Sequence, residues 1–280
     1  MTVPVRMDAL RRTRTESAAS AIDHGVHNAV PAPESWIETP TLRRVVAALA
    51  IAREMGDVVA IYGAQGVGKT SAALAYAERV NPRPTSSPMQ YVAKAWYVAA
   101  HPAIAGVVPL LRAICEELGG GVMDRAAGAA ELHGALVRLT ERRCGLLIVD
   151  EAQHLTAAAL EQLRALHDAS GVGLALIGNR DLYSRLVGGK TSTELDGLRA
   201  RIGRRLNIEA STPEDAGALA DAWGVTTASG RKMLSEICAS AGGMRSAVKA
   251  LRLADLRANA EARGRTDADL RAAWGELGGA

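Results

Sequence analysis

Phenylalanine is absent from these 280 residues, and aromatic side chains of every kind make up only 3%. So few rings leave little with which to stack the bases of a single strand; any nucleic-acid target is expected to be a duplex met through its backbone. Cysteine is almost as scarce. Cys115, Cys144 and Cys238 are odd in number and widely spaced, which excludes a disulfide framework and fits reduced thiols. Charge of one sign is also lacking, because 33 basic residues face 30 acidic ones for a net +3, so attraction to a polyanion must come from a local patch. Lysine occurs only at positions 69, 94, 190, 232 and 249, and arginine carries the rest of the positive charge. No long apolar run exists: the nearest, Ala95 to Leu111, is broken by His101, Pro102 and Pro109, so neither a membrane span nor a membrane partner is expected. Arg6, Arg11, Arg12 and Arg14 occupy the start without an apolar stretch of signal type, which points to the cytoplasm of the cell that makes the chain.

What is present is a globular composition, 48% apolar and 22% charged, in a length suited to a core domain plus something smaller. Residues 1–37 are polar and read as a short helix and a linker. A helix then opens at Thr39-Pro40 and runs to about Met55, followed by a strand over Asp57 to Tyr62. Alternation continues with helix Thr70–Arg79, strand Ala95–Ala99, helices Ile104–Leu118 and Glu131–Arg142, strand Leu146–Val149, helix Ala157–Ala169, and strands Gly173–Ile177 and Leu206–Ile208. Such a series predicts an α/β core over 38–210, a parallel five-stranded sheet between helices. No strand signal follows. Thr212-Pro213-Glu214-Asp215 starts the first of three or four helices, divided near Gly224, Gly242-Gly243 and Gly264, that make 211–280 a small helical domain.

The strongest chemical signal is Gly63-Ala64-Gln65-Gly66-Val67-Gly68-Lys69-Thr70-Ser71, a phosphate-binding loop between a predicted strand and a predicted helix. Its backbone N–H groups turn inward on phosphates, the helix start adds its positive end, Lys69 reaches the outer phosphates and Thr70 ligates magnesium. Eighty residues on, the apolar run Leu146 to Val149 delivers Asp150 and Glu151 from a buried strand. Asp150 can hold the magnesium through water and Glu151 can polarise the water that attacks the γ-phosphate. A third strand ends in Asn179; if it lies between the other two, its amide can orient the same water, and otherwise it only caps the turn at Arg180-Asp181. Arg199, Arg201, Arg204 and Arg205 lie just ahead of the last strand as expected here, either a solvated face or a source of an arginine finger for a neighbour's ATP. Arg245, after Gly242-Gly243-Met244, could meet the γ-phosphate from above. His24 and His27 lack the partners of a zinc site, and His154 stands beside the acidic pair as a supporting group.

Together these residues resemble the AAA+ ATPases from about residue 38 to residue 275. Glu38-Thr-Pro, Asp150-Glu-Ala-Gln-His-Leu155, Leu163-Arg-Ala-Leu-His-Asp168, Gly171 to Asn179 and Arg201-Ile-Gly-Arg-Arg-Leu206 further resemble the transposition ATPases of Mu-like phages, the MuB group. Related ATPases of secretion systems share an Asp-Glu-Ala-Gln stretch. The resemblance implies ATP and Mg2+ as cofactors, and a protein that oligomerises on double-stranded DNA, marks target DNA and is released when a transposase stimulates hydrolysis. It makes Arg205 the expected finger, with Arg201 and Arg204 as alternatives. The MuB group has a separate N-terminal DNA-binding domain for which residues 1–37 are too few, so duplex contacts would fall to the core, with Arg112, Arg125 and Lys190 as candidates. A finger lying across the domain from its own loop would make hydrolysis depend on self-association. A nucleotide-switched ATPase that assembles a secretion or envelope complex without DNA is the other reading.

Overall fold

The computed structural model describes residues 36–81, 94–119, 126–141, 144–186 and 193–279. Apart from its last two residues, the polar segment 1–37 lies outside the described residues, as do Arg125 and Lys190.

Helix α1 (Pro40–Met55) begins where the sequence says it should. The Thr39 hydroxyl accepts from the Leu42 N–H at 3.0 Å, Pro40 fills the first turn, and Gly56 ends the helix with φ 59°. Strand β1 (Val58–Gly63) follows, then α2 (Lys69–Val80), β2 (Ala95–Ala99), α3 (Val107–Glu117), α4 (Ala129–Thr140) and β3 (Leu146–Asp150). Helix α5 (Ala157–Ser170) leads to β4 (Gly173–Gly178), the short helices α6 (Arg180–Leu186) and α7 (Asp196–Arg201), and β5 (Ile202–Ile208). All five strands are parallel in the order β2-β3-β4-β1-β5. Alternate residues of the central strands feed two apolar layers. Val58, Ala60, Leu147, Val149, Leu174 and Leu176 pack toward α3 to α6, while Val59, Ile61, Leu146, Ile148, Ala175 and Ile177 pack toward α1 and α2. Each large aliphatic side chain so enclosed stabilises the fold by about 1.5–3 kcal/mol. Burial on both faces is why these strands read as unbroken apolar runs.

Strand β5 departs from expectation. It starts at Ile202 and not at Leu206, so Arg204 and Arg205 lie within the strand and not ahead of it. The reason is its place at the sheet edge: only Ile202 and Ile208 are buried, so no apolar run marks the strand. The register slips after Val58↔Ile202, where Gly203 passes the Asp57 carboxylate so closely that a Cβ there would lie 2.0 Å from Oδ2. Helices α6 and α7 were not expected either; each is too short to show helical periodicity.

Four helices complete the chain: α8 (Pro213–Ala222), α9 (Ala228–Ala239), α10 (Gly243–Ala260) and α11 (Asp267–Glu276). They enclose their own apolar cluster around Leu219, Leu234, Ile237, Leu251 and Leu270. Thr212 and Asp215 cap α8 reciprocally, and Thr266 and Asp269 do the same for α11. Asp215 also reaches the sheet domain, accepting from the Thr41 N–H at 2.8 Å and the Thr41 hydroxyl at 2.7 Å, so the start of α8 is pinned to the start of α1. Among the described residues no helix is long and apolar enough to cross a membrane.

Candidate active site

The phosphate loop leaves the carboxyl end of β1 in the middle of the sheet and turns directly into α2. Its position is held from β5, whose Ile208 carbonyl accepts from the Ala64 N–H at 2.9 Å. Gly66 has φ 74°, and a Cβ there would sit 2.0 Å from the Gly242 carbonyl, so only glycine lets the lid backbone lie on the loop. The Arg245 N–H donates to the Gly66 carbonyl at 3.3 Å, and Met244 Cε faces Gly68. Helix α10 therefore starts over the loop, with the exposed Arg245 side chain in its first turn. Val67 is buried beneath the loop, Thr70 is half-buried, and Gln65 and Ser71 are exposed.

Lys69 lies over its own loop and donates to the Gly63 and Ala64 carbonyls at 3.1 and 2.6 Å. Burial pulls its ammonium below the ordinary value; Asp150 and Glu151 act against this and Arg245 acts with it, which puts all four charges in one electrostatic neighbourhood. Asp150 closes β3 with its carboxylate enclosed, Oδ1 accepting from the Glu151 N–H at 2.8 Å and Oδ2 from the Tyr97 hydroxyl at 2.9 Å. Burial first, and Asp150 second, push the Tyr97 phenol well above its ordinary range, so it remains a donor. Glu151 is exposed and holds a left-handed backbone, φ 52° and ψ 33°, an uncommon conformation for a residue with a side chain.

Strand β4 does lie between β3 and β1, so Asn179 stands between the acidic pair and the phosphate loop. Its side chain also caps α6: Oδ1 accepts from the Asp181 N–H at 2.8 Å, and Nδ2 donates to Asp181 Oδ2 at 3.1 Å. The arginines divide. Arg201 ends α7 and is paired with Asp168 through Nε at 3.0 Å and Nη2 at 3.2 Å. Arg205 donates to the Arg199 carbonyl at 3.2 Å, and the Arg204 side chain has no hydrogen bond or ion pair among the described residues. Register places Arg204 opposite Val59 and Arg205 opposite Ala60, so the two point to opposite faces of the edge. Although β5 neighbours β1, the loop departs after Gly63, so Arg201 starts roughly 20 Å and Arg205 roughly 10 Å down the sheet from it at ~3.3 Å per residue. Arg112 is half-buried and donates to the Ala127 carbonyl at 3.4 Å, a contact that ties α3 to the segment ahead of α4.

Three contributors escape sequence reading: Tyr97 on Asp150, Gln153 on Glu151, and Asp215 between lid and sheet. Gln153 was visible in the Asp150 to Leu155 block, but nothing in its type announced a partner. Tyr97 becomes meaningful only through the β2–β3 register.

A phosphate loop between strand and helix, an acid pair ending β3, a polar residue ending the intervening β4 and a helical lid on the loop define an AAA+ P-loop ATPase. The AAA domain family matches residues 53–186, and the C-terminal part of the Mu B transposition protein matches residues 200–277. The chain is 32% identical over 248 residues to the ATP-dependent target DNA activator B of Escherichia phage Mu, spanning 89% of this chain and 75% of that protein. It is 35% identical over 222 residues to the Mu-like prophage FluMu DNA transposition protein B of Haemophilus influenzae, spanning 77% of this chain and 71% of that one. The chain belongs to the Mu B transposition protein family. Among solved structures, the Aeropyrum pernix ORC1 protein in complex with DNA superposes with TM-score 0.64 at 20% identity, over 87% of this chain and 66% of that one. The ORC2 protein of the same organism, in its ADPNP–ADP complexes, gives 0.63 at 21%, over 90% and 70%. At such identities the likeness is one of fold.

Proposed function

We propose that this ATPase assembles on double-stranded DNA when ATP is bound, marks that DNA as a target for transposition, and is released when a transposase stimulates hydrolysis in the cytoplasm of a bacterial or phage-infected cell. The observation that carries this reading is the 32% identity, over most of the chain, to an ATP-dependent target DNA activator. The site chemistry supports it. Backbone N–H groups of the loop and the start of α2 would take the phosphates, and Lys69 would balance their charge. Glu151 would accept the proton of the attacking water, while Asn179, whose Nδ2 keeps a second hydrogen beyond its cap bond, would orient that water. The Thr70 hydroxyl and Asp150 carboxylate suit magnesium, a hard ion that takes few protein oxygens and shares itself with phosphates; no group of three potential ligands exists among the described residues. When bound, that ion would draw charge from the β- and γ-phosphates.

Arg205, with Arg204 beside it, would complete the site of an adjoining copy. Arg201 is already committed to Asp168 and fits that role less well. Arg112, Arg125 and Lys190 remain the proposed duplex contacts, with Arg112 weakened as a candidate by its contact with Ala127. The test is binding of random-sequence duplex with and without ATP across a salt series, with electron microscopy of the assemblies. ATP-dependent binding that falls steeply with salt, and filaments or rings abolished in Lys69→Ala, are expected. Weak binding at low salt that ignores ATP would overturn this reading in favour of an assembly ATPase that does not use DNA.

A further inference from the structure

We propose that Gln153 is a positioning residue for ATP hydrolysis, whose carboxamide sets Glu151 against the end of β4. One amide makes two different contacts. Its Nε2 donates to Glu151 Oε2, and its Oε1 accepts from the Asn179 N–H at 3.3 Å. The orientation of the amide is unambiguous, because a backbone N–H can only donate and an ionised carboxylate can only accept. Gln153 thereby ties the residue after β3 to the residue after β4, the two strand ends that face the attacking water in the reading above. The proposal rests on that reading's assignment of Glu151 as the base.

The surroundings are built for this bridge. A Cβ at Gly178 would meet Gln153 Oε1 at 2.6 Å, so the last residue of β4 leaves room for the carboxamide by being glycine. The backbone of Gln153 is held in turn: Arg185 Nη1, on the helix that follows Asn179, donates to the Gln153 carbonyl at 3.1 Å and the Leu155 carbonyl at 2.7 Å. The His154 N–H closes the same tight turn onto the Glu151 carbonyl at 3.0 Å. Glu151 itself is exposed, so without Gln153 its carboxylate would sample several rotamers. Because the bridge occupies only Oε2, the other carboxylate oxygen keeps its lone pairs for the water. The base is held without being blocked, and a misplacement of about 1 Å at such a group costs on the order of 100-fold in rate.

Steady-state ATP hydrolysis and binding of a fluorescent ATP analogue by the full chain test this with Gln153→Met, which keeps the length without polar atoms, and Gln153→Glu, which keeps an acceptor for Asn179 but loses the donor. Both variants should lose roughly 10- to 100-fold in kcat, with KM and nucleotide affinity within about twofold of the parent. Glu151→Gln, measured beside them, should be slower still, and combining it with Gln153→Met should add little, since a residue acting through Glu151 has nothing left to position. Full turnover in either Gln153 variant, a loss matched by equal loss of nucleotide affinity, or additive losses in the double variant would overturn the proposal while leaving Glu151 as the base. Undiminished turnover in Glu151→Gln would instead remove the base assignment and the proposal together.

Discussion

The buried carboxylates and the arginine-bearing edge strand treat charge in opposite ways. Asp150 and Asp215 are almost wholly enclosed, and the chain supplies each with donors: a phenol and a backbone N–H for the first, Thr41 and Thr212 for the second. Arg204 and Arg205 on β5 are exposed, with one carbonyl contact between them. A buried charge without partners is costly and an exposed one is not. The chain therefore finishes the first kind of group by itself and leaves the second to solvent. Enclosed charges are thus completed within the chain, whereas the arginines proposed to serve an adjoining copy stay in solvent.

The largest effect that could break this contrast is at Arg205. Arg205→Ala should lower ATP turnover of the assembled protein by about 10³- to 10⁵-fold while leaving analogue binding intact. Unchanged turnover would mean that Arg205 contributes nothing to a neighbour.

Asp215 tests the self-sufficient side. Asp215→Ala would strand the buried Thr41 donors and the half-buried Thr212 N–H, and a loss of about 3 kcal/mol in denaturant unfolding is expected. The pH dependence follows from its lowered pKa. Burial works to raise it, but bonds from Thr212, Thr41 and Thr39 more than offset this. The unfolded chain thus binds the proton more readily than the folded one, so this stability is present above the ordinary carboxylate range and is lost as pH falls toward the folded value. Melting curves of the parent and Asp215→Asn should converge on acidification; a constant gap would show that the carboxylate charge is not what pins α8 to α1.

Smaller changes sharpen the comparison. Tyr97→Phe removes one donor from Asp150 and should cost about 1 kcal/mol of stability, with a modest rise in the KM for ATP. Arg201→Ala breaks a half-exposed pair with Asp168 and should cost only about 0.2–1 kcal/mol, with turnover near the parent's. A collapse of turnover in Arg201→Ala would move the finger from the strand to the end of α7.

Legibility in the sequence follows burial and contiguity. The phosphate loop and the acid pair could be read directly because each packs its chemistry into a few adjacent residues flanked by apolar strands. Asn179 could be placed only conditionally, since its meaning depended on β4 lying between β3 and β1. The start of β5 was missed because an edge strand with exposed arginines carries no apolar signature. Gln153 offered no signal, as its partners are two residues away in one direction and 26 in the other.

Local chemistry by itself determined the strand-and-helix alternation, the capped helix starts and the glycine-rich loop between strand and helix, because hydrophobic period, caps and motif spacing act over short stretches of chain. Tertiary structure alone decided which of those groups meet: that Tyr97 faces Asp150, that Gln153 joins Glu151 to Asn179, that Gly66 lies under Gly242, and that Asp215 anchors the lid. Such contacts depend on strand order, register and backbone approach, which arise from packing two apolar layers around one sheet.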